Sequence, residues 1–235
     1  MYFSTFLLFF YLSFAQSFSP IYNPKTTKQQ KYINFIESEK FPIVIGEGPA
    51  GTGKTLLACQ TGIKFLQEKR CKKIILTRPV VTTDEALGFL PGDLFDKMKP
   101  CILPLMDVFD LYYTKDKIAY MMNNNIIEIV PLAYMRGRTF NDCYIIADEM
   151  QNSTPNQMKM LLTRIGHNSK MIITGDLEQN DLDKRNNGLA QILYLLETKY
   201  SEKYELYNEG FGLVRFDNDS ICRNKFISVI LDLYK

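Results

Sequence analysis

Tryptophan is absent from this 235-residue chain, and histidine occurs once, at His167. A single histidine in a Gly-His-Asn-Ser stretch reads as a loop residue. It leaves neither a histidine-based triad nor a histidine-rich metal centre to build. The five cysteines, Cys59, Cys71, Cys101, Cys143 and Cys222, are odd in number and none has C-x-x-C spacing. Disulfide frameworks and zinc sites are both unsupported, and a reducing compartment is the simplest setting. An excess of one charge is also missing: 28 Lys+Arg against 26 Asp+Glu give a net +2. Bulk charge therefore neither demands nor excludes a polyanionic partner, and any basic surface must be local. No apolar run is long enough for a comfortable membrane span; the best, Tyr2 to Ala15, falls short. What is present, 46% hydrophobic and 23% charged residues, is the composition of an ordinary globular domain.

Residues 1–24 carry no charged side chain. The length of the apolar run and the small Ala15 suit a signal-peptide core, but the basic n-region is missing. A cleaved targeting segment, a membrane-surface anchor and a start-codon artefact all remain open for it. The expected organisation is this apolar segment over 1–24 and one α/β domain over 25–235. The expected location is the cytoplasm, or an organelle matrix after the segment is removed, with no stable membrane span.

Periodicity then sketches the domain. Tyr32, Ile33 and Ile36 fall at helical spacing within Gln29 to Glu39, and Phe41 to Ile45 is a short apolar run ending in glycines, a buried strand. A helix is predicted over Thr55 to Glu68, a strand over Lys72 to Thr77, and loops with short helices from Val80 to Asn125, where Gly88, Pro91, Gly92, Pro100 and Pro104 interrupt the pattern. Ile126 to Val130, Cys143 to Ala147 and Met171 to Thr174 read as strands, with helices over Pro155 to Arg164 and Gly188 to Lys199. Tyr204 to Tyr207 and Gly212 to Phe216 read as late strands, and Asn224 to Tyr234 as a final helix. Strands alternating with helices mean a mostly parallel sheet covered on both faces.

The strongest chemical signal is Gly48-Pro49-Ala50-Gly51-Thr52-Gly53-Lys54-Thr55, which satisfies G-x-x-x-x-G-K-[ST]. By average residue frequencies such a string arises by chance in on the order of one chain in a hundred this long. Here a strand precedes it and a helix follows. The glycines let successive N–H groups converge on a phosphate, the helix N-terminus adds partial positive charge, Lys54 reaches the β- and γ-phosphates, and the Thr55 hydroxyl holds Mg²⁺. The second signal is Tyr144 to Glu149, an apolar strand ending in two carboxylates. Alone, an Asp-Glu pair is a solvated turn. Paired with a P-loop, Asp148 belongs in the metal shell and Glu149 beside the attacking water. Thr174-Gly175-Asp176 ends another strand, with Gln179 close behind. A γ-phosphate sensor and a plain turn are evenly matched there. Thr154-Pro155-Asn156-Gln157 is a capping box and needs no catalytic role. Arg78, Arg136, Arg138, Arg164 and Arg223 lie near strand ends, where one could meet transition-state charge and others a polyanion. The basic run Lys69 to Lys73 reads as a helix-dipole complement. Tyr112, Tyr113 and Tyr134 could stack on bases, although core packing is the commoner fate of such residues.

With these strings in hand the sequence resembles the PhoH family of P-loop ATPases, related to superfamily I helicases. The resemblance rests on GPAGTGKT from Gly48, TRP from Thr77, GFLPG from Gly88, PLAYMRGRTF from Pro131, ADEMQNSTPNQMKMLLTRIG from Ala147 and ITGDLEQNDL from Ile173, in order over about residues 25–234. It implies a RecA-like fold that binds ATP and Mg²⁺ as an ATP hydrolase. It assigns Gln29 (or Gln30) to the adenine edge, Gln179 to coupling the γ-phosphate with nucleic acid, Arg78 to contact with a single strand, and Arg223 to the C-terminal sensor. Asn224 stands where the family usually has histidine, and Asp219 to Cys222 also depart from the pattern. The resemblance further implies single-stranded RNA as partner and a ring of subunits, six being one candidate size. A single such domain needs a neighbour to close over ATP. A regulatory ATP-binding switch acting on a protein partner is the alternative. A degraded, non-hydrolysing module is opposed by the intact Lys54, Thr55, Asp148 and Glu149.

Overall fold

The computed structural model describes residues 18–79, 94–179, 187–200 and 202–221. Six strands form one parallel sheet in the order β3-β2-β4-β5-β1-β6. They are β1 (Ile43–Glu47), β2 (Lys73–Thr77), β3 (Ile127–Ile129), β4 (Cys143–Ala147), β5 (Lys170–Gly175) and β6 (Phe211–Arg215). The helices are α1 (Thr27–Glu37), α2 (Lys54–Gln67), α3 (Leu94–Asp110), α4 (Lys115–Asn123), α5 (Pro155–Leu162), α6 (Gly188–Lys199) and α7 (Lys203–Asn208).

Alternation along each strand builds two cores, one on each face of the sheet. Val44, Ile74, Leu76, Tyr144, Ile146 and Ile172 point to one face and pack with Ala58, Ile63, Met98 and Phe109 of α2 and α3. Ile45, Ile75, Ile145, Ala147, Met171 and Ile173 point to the other, against Met158, Leu161, Leu189 and Leu193 of α5 and α6. This is the RecA-like α/β fold expected from the sequence. β1 and β4 do not touch; β5 lies between them, with Ile45 opposite Ile173 and Ile173 opposite Ala147. The ends of β1, β5 and β4 thus lie side by side at the carboxyl edge, where open α/β sheets bind ligands.

Two expectations need correction. Pro100 and Pro104 do not break the chain: they sit inside α3, a 17-residue helix whose buried Met98, Ile102, Leu105 and Phe109 repeat at three and four residues. That apolar stripe outweighs the two lost N–H bonds. Tyr204 to Tyr207 is helical, within α7, rather than a strand. The final helix, Cys222, Arg223 and the 88–92 glycine-proline string lie outside the described residues. Cys59, Cys71, Cys101 and Cys143 are free thiols. No helix among the described residues is long and apolar enough to cross a membrane.

Candidate active site

The P-loop connects β1 to α2 and closes tightly over its own backbone. Gly48 has φ 138°, and a Cβ there would come within 2.5 Å of the Phe216 carbonyl, so only glycine fits. Gly53 caps α2 in the left-handed region, and no side chain caps the helix. By contrast α1, α4, α5 and α6 are each capped by a side chain, from Thr26, Thr114, Thr154 and Asn187. The first N–H groups of α2 are therefore left for an anion. Lys54 is buried, and its Nζ donates to the Gly48 carbonyl at 2.5 Å and the Pro49 carbonyl at 2.8 Å. Burial pushes this ammonium below the ordinary lysine value, opposed by the carboxylates of Asp176, Glu149, Asp148 and Glu47.

The carboxylates arrive from β4. Thr55 Oγ1 donates to Asp148 Oδ1 at 2.7 Å, and Thr174 Oγ1, at the end of β5, donates to the same oxygen. Asp148 is 2% exposed, so its charge is held by hydroxyl donors rather than by water. Glu149 takes φ 54°, ψ 40°, a left-handed conformation that costs roughly 1–2 kcal/mol for a side chain with a Cβ. Gln151 helps hold it there. Its Nε2 donates to Glu149 Oε2 at 2.5 Å and to the Gln179 carbonyl at 3.2 Å, while its Oε1 accepts from the Asp176 N–H at 3.1 Å. Asp176 in turn accepts from the Ala50 N–H at 3.1 Å, which ties the end of β5 to the P-loop. Ala50, Gly51, Gly53, Lys54, Thr55, Asp148, Glu149, Thr174, Asp176 and Gln179 line one cleft of about 210 Å³.

Many of the expected residues therefore converge: Ala50, Gly51, Gly53, Lys54, Thr55, Asp148, Glu149 and Gln179 surround a single cleft, while Gly48, Pro49 and Thr52 belong to the loop behind it. Gln29 lies beneath it, 4% exposed, with Nε2 donating to the Thr52 carbonyl at 2.9 Å and Oε1 accepting from the Lys25 N–H at 2.7 Å. It props the P-loop from behind. Arg223 lies outside the described residues. Arg138 and Arg164 are engaged structurally. Arg138 forms a fork on Glu128 at 2.7 and 3.1 Å, and Arg164 reaches the Arg138 and Met160 carbonyls. Tyr112 stacks on Phe18, accepts from the Ile21 N–H and donates to Gln60. Sequence reasoning missed Gln151, whose only signal was its place two residues after Glu149. Two of its partners, Asp176 and Gln179, lie just beyond β5 and cannot be read from spacing.

A family model described as PhoH-like protein matches residues 21–235. The chain is 44% identical over 211 residues to the PhoH-like protein of Bacillus subtilis (strain 168), covering 89% of this chain and 63% of that one. It is 42% identical over 212 residues to the PhoH-like protein of Mycobacterium tuberculosis (strain ATCC 25618 / H37Rv), covering 90% and 57%. It is 38% identical over 209 residues to Protein PhoH of Escherichia coli (strain K12), covering 88% and 56%. The chain thus spans about six-tenths of the length of the curated relatives it matches. Among solved structures it is similar to a Sulfolobus solfataricus SWI2/SNF2 ATPase core in complex with dsDNA, at TM-score 0.49 and 15% identity, covering 86% of this chain and 47% of that one. It is also similar to the Pif1 helicase from Candida albicans, at TM-score 0.40 and 14% identity, covering 88% and 43%.

Proposed function

The chain belongs to the PhoH-like family, and from that premise we propose that it is a Mg²⁺-dependent ATP hydrolase whose cycle is coupled to single-stranded RNA. The observation that carries this reading is the contact between Thr55 and Asp148, 2.7 Å apart although their elements start from strands that do not touch. Two hard oxygen donors in contact at the mouth of an uncapped helix suit a small divalent cation. Among the described residues no cluster of three or more His, Cys, Asp or Glu side chains could hold a metal by itself. An ion held here by the protein's own oxygens and water would bind weakly, and phosphate oxygens would complete its shell, as they do for Mg²⁺. Bound there, Mg²⁺ would neutralise charge on the phosphates.

The chain's own residues supply the rest. The N–H groups of Gly51 to Thr55 bind the triphosphate, and Lys54 leaves the Gly48 and Pro49 carbonyls for it. Glu149, held by Gln151, orients a water and takes its proton. Gln179 senses the γ-phosphate, and Gln29 reads adenine only by exchanging its bonds to Lys25 and Thr52. Arg223 completes the phosphate contacts, and a ring neighbour closes over the nucleotide.

The test is ATP turnover by the full chain with and without single-stranded RNA, across a salt series, with Lys54→Ala as control. Stimulation that fades steeply with salt is expected, and turnover should vanish in Lys54→Ala. A wild-type rate that RNA does not change would favour the regulatory switch on a protein partner. A Lys54→Ala variant that turned over normally would sink the nucleotide site itself.

A further inference from the structure

Arg78 follows directly on β2, whose last residue, Thr77, is opposite Ala147. The Thr77 carbonyl accepts from the Asp148 N–H at 3.0 Å, so the strand register delivers Arg78 to the carboxylates. Its Nη1 lies 3.9 Å from Asp148 Oδ2 and its Nη2 lies 3.8 Å from Glu149 Oε1. Nη1 also donates to the Cys101 carbonyl of α3 at 3.0 Å. One guanidinium thus spans both acids of the site and one turn of a neighbouring helix. Its side chain is 25% exposed and that of Asp148 is 4% exposed, so solvent screens the interaction only in part. The turn it holds lies between Pro100 and Pro104, and Pro104 brings no N–H to the Pro100 carbonyl. This stretch of α3 is accordingly less firmly fixed by its own ladder than the rest.

The expected role of Arg78 was contact with a nucleic-acid strand. With its guanidinium drawn toward two carboxylates and one N–H donated to the Cys101 carbonyl, part of its donor set is turned away from solvent, and an arginine that merely pinned β2 to α3 would not need to face both acids. We propose that Arg78 is a positioning residue. It orients the Asp148–Glu149 pair and fastens it to the proline-interrupted turn of α3, so that what binds at the acids is felt by that helix. Its planar fork suits this bridging, because it can address three acceptors that a lysine ammonium cannot reach in the same geometry.

The kinetic part of the test rests on the ATPase reading; the metal-binding part does not. The nucleotide-free full chain is titrated with Mn²⁺ and free Mn²⁺ is followed by electron paramagnetic resonance. Arg78→Ala should bind Mn²⁺ about threefold or more tightly, because a fixed positive charge beside the acids has gone, while Arg78→Lys should stay within about twofold of wild type. Steady-state turnover should show kcat down about tenfold in Arg78→Ala with KM for ATP within about threefold, and partial recovery in Arg78→Lys. Affinity for single-stranded RNA and its salt slope should not change. Equal Mn²⁺ affinity in wild type and Arg78→Ala would overturn the proposal. So would an intact kcat accompanied by weaker RNA binding and a salt slope shallower by about one, the mark of a lost phosphate contact. A wild-type chain without ATP turnover would defeat the ATPase reading and leave the Mn²⁺ comparison to decide the role of Arg78. Arg78→Lys keeps the test open should the alanine variant fail to fold.

Discussion

The two edges of the sheet use their polar groups in opposite ways. At the amino edge, Lys170 donates to the Ser38 and Phe41 carbonyls, Arg70 to the Glu37 carbonyl, and Lys72 to Asp142. The Lys170 and Arg70 bonds satisfy carbonyls at and just beyond the end of α1 and join it to β5 and to the turn before β2. A groove of about 620 Å³ lies there, three times the volume of the cleft at the carboxyl edge. Yet two of its cations, Lys170 and Arg70, already rest on the chain's own carbonyls. At the carboxyl edge, side chains hold one another around an open space instead: Thr55 and Thr174 on Asp148, Gln151 on Glu149, Asp176 on the Ala50 N–H. Donors left uncapped at α2 and a carboxylate in strained backbone are features that stability alone would not select. On the proposed function, cleft size is the poorer guide to the site and unfinished hydrogen bonding is the better one.

If that contrast is right, a change that removes chemistry at the carboxyl edge should leave the fold alone. Glu149→Gln keeps an acceptor for Gln151 and a similar shape while removing the charge that takes a proton. Hydrolysis should slow by about 10²- to 10⁴-fold, with ATP still bound and the thermal midpoint close to wild type. Single-turnover kinetics beside a nucleotide-binding titration reads both. Normal single-turnover rates would mean that another group is the base.

A variant between the two extremes sharpens the contrast. Gln151 is 1% exposed, and its amide joins Glu149 to the Asp176 N–H and the Gln179 carbonyl. Gln151→Met should lower kcat about tenfold through misplacement of Glu149. It should also cost about 1–3 kcal/mol of stability, since two backbone groups lose their partner. Urea unfolding and steady-state kinetics on the same sample decide it. Lost stability with unchanged kcat would make Gln151 a strut of the turn and nothing more.

How far the sequence anticipated this depends on how local each feature is. The P-loop was legible because its chemistry sits in eight consecutive residues and its glycines answer to backbone geometry alone. β4 and α6 were predicted to the residue, over Cys143–Ala147 and Gly188–Lys199, since continuous apolar character and helical spacing set their limits. The α3 helix was not, because Pro100 and Pro104 argue locally for loops while the apolar stripe gains only from packing on α2. α7 was mistaken for a strand for the same reason: six residues rich in tyrosine carry no usable period. Thr174 on Asp148, and Gln151 under Glu149, depend on β5 lying between β1 and β4. No spacing along the chain states that order.

The smallest effect, and the one that probes the amino edge by itself, belongs to Lys170. Burial lowers its pKa from the ordinary 10.5 to about 8, with Arg70 adding to the drop and Glu39 opposing it. Because the folded value is the lower one, folding expels a proton between about pH 8 and the ordinary lysine value. Wild-type stability should therefore rise with pH through that window, while below about pH 8 the full cost of burying the charge remains. Lys170→Met has no such term, although it leaves the Ser38 and Phe41 carbonyls unpaired. A neutral amine can still donate to both carbonyls, so the wild type should pull ahead of the variant as pH climbs. The gap in unfolding free energy should widen by up to about 1.4 kcal/mol per pH unit above pH 8. Lys54, whose pKa is also lowered, is present in both proteins and cancels in the difference. Urea unfolding at steps from pH 7 to 9.5 measures the gap. A gap that stays constant would mean that Lys170 keeps its charge comfortably in the folded protein, solvated by the Ser38 and Phe41 carbonyls.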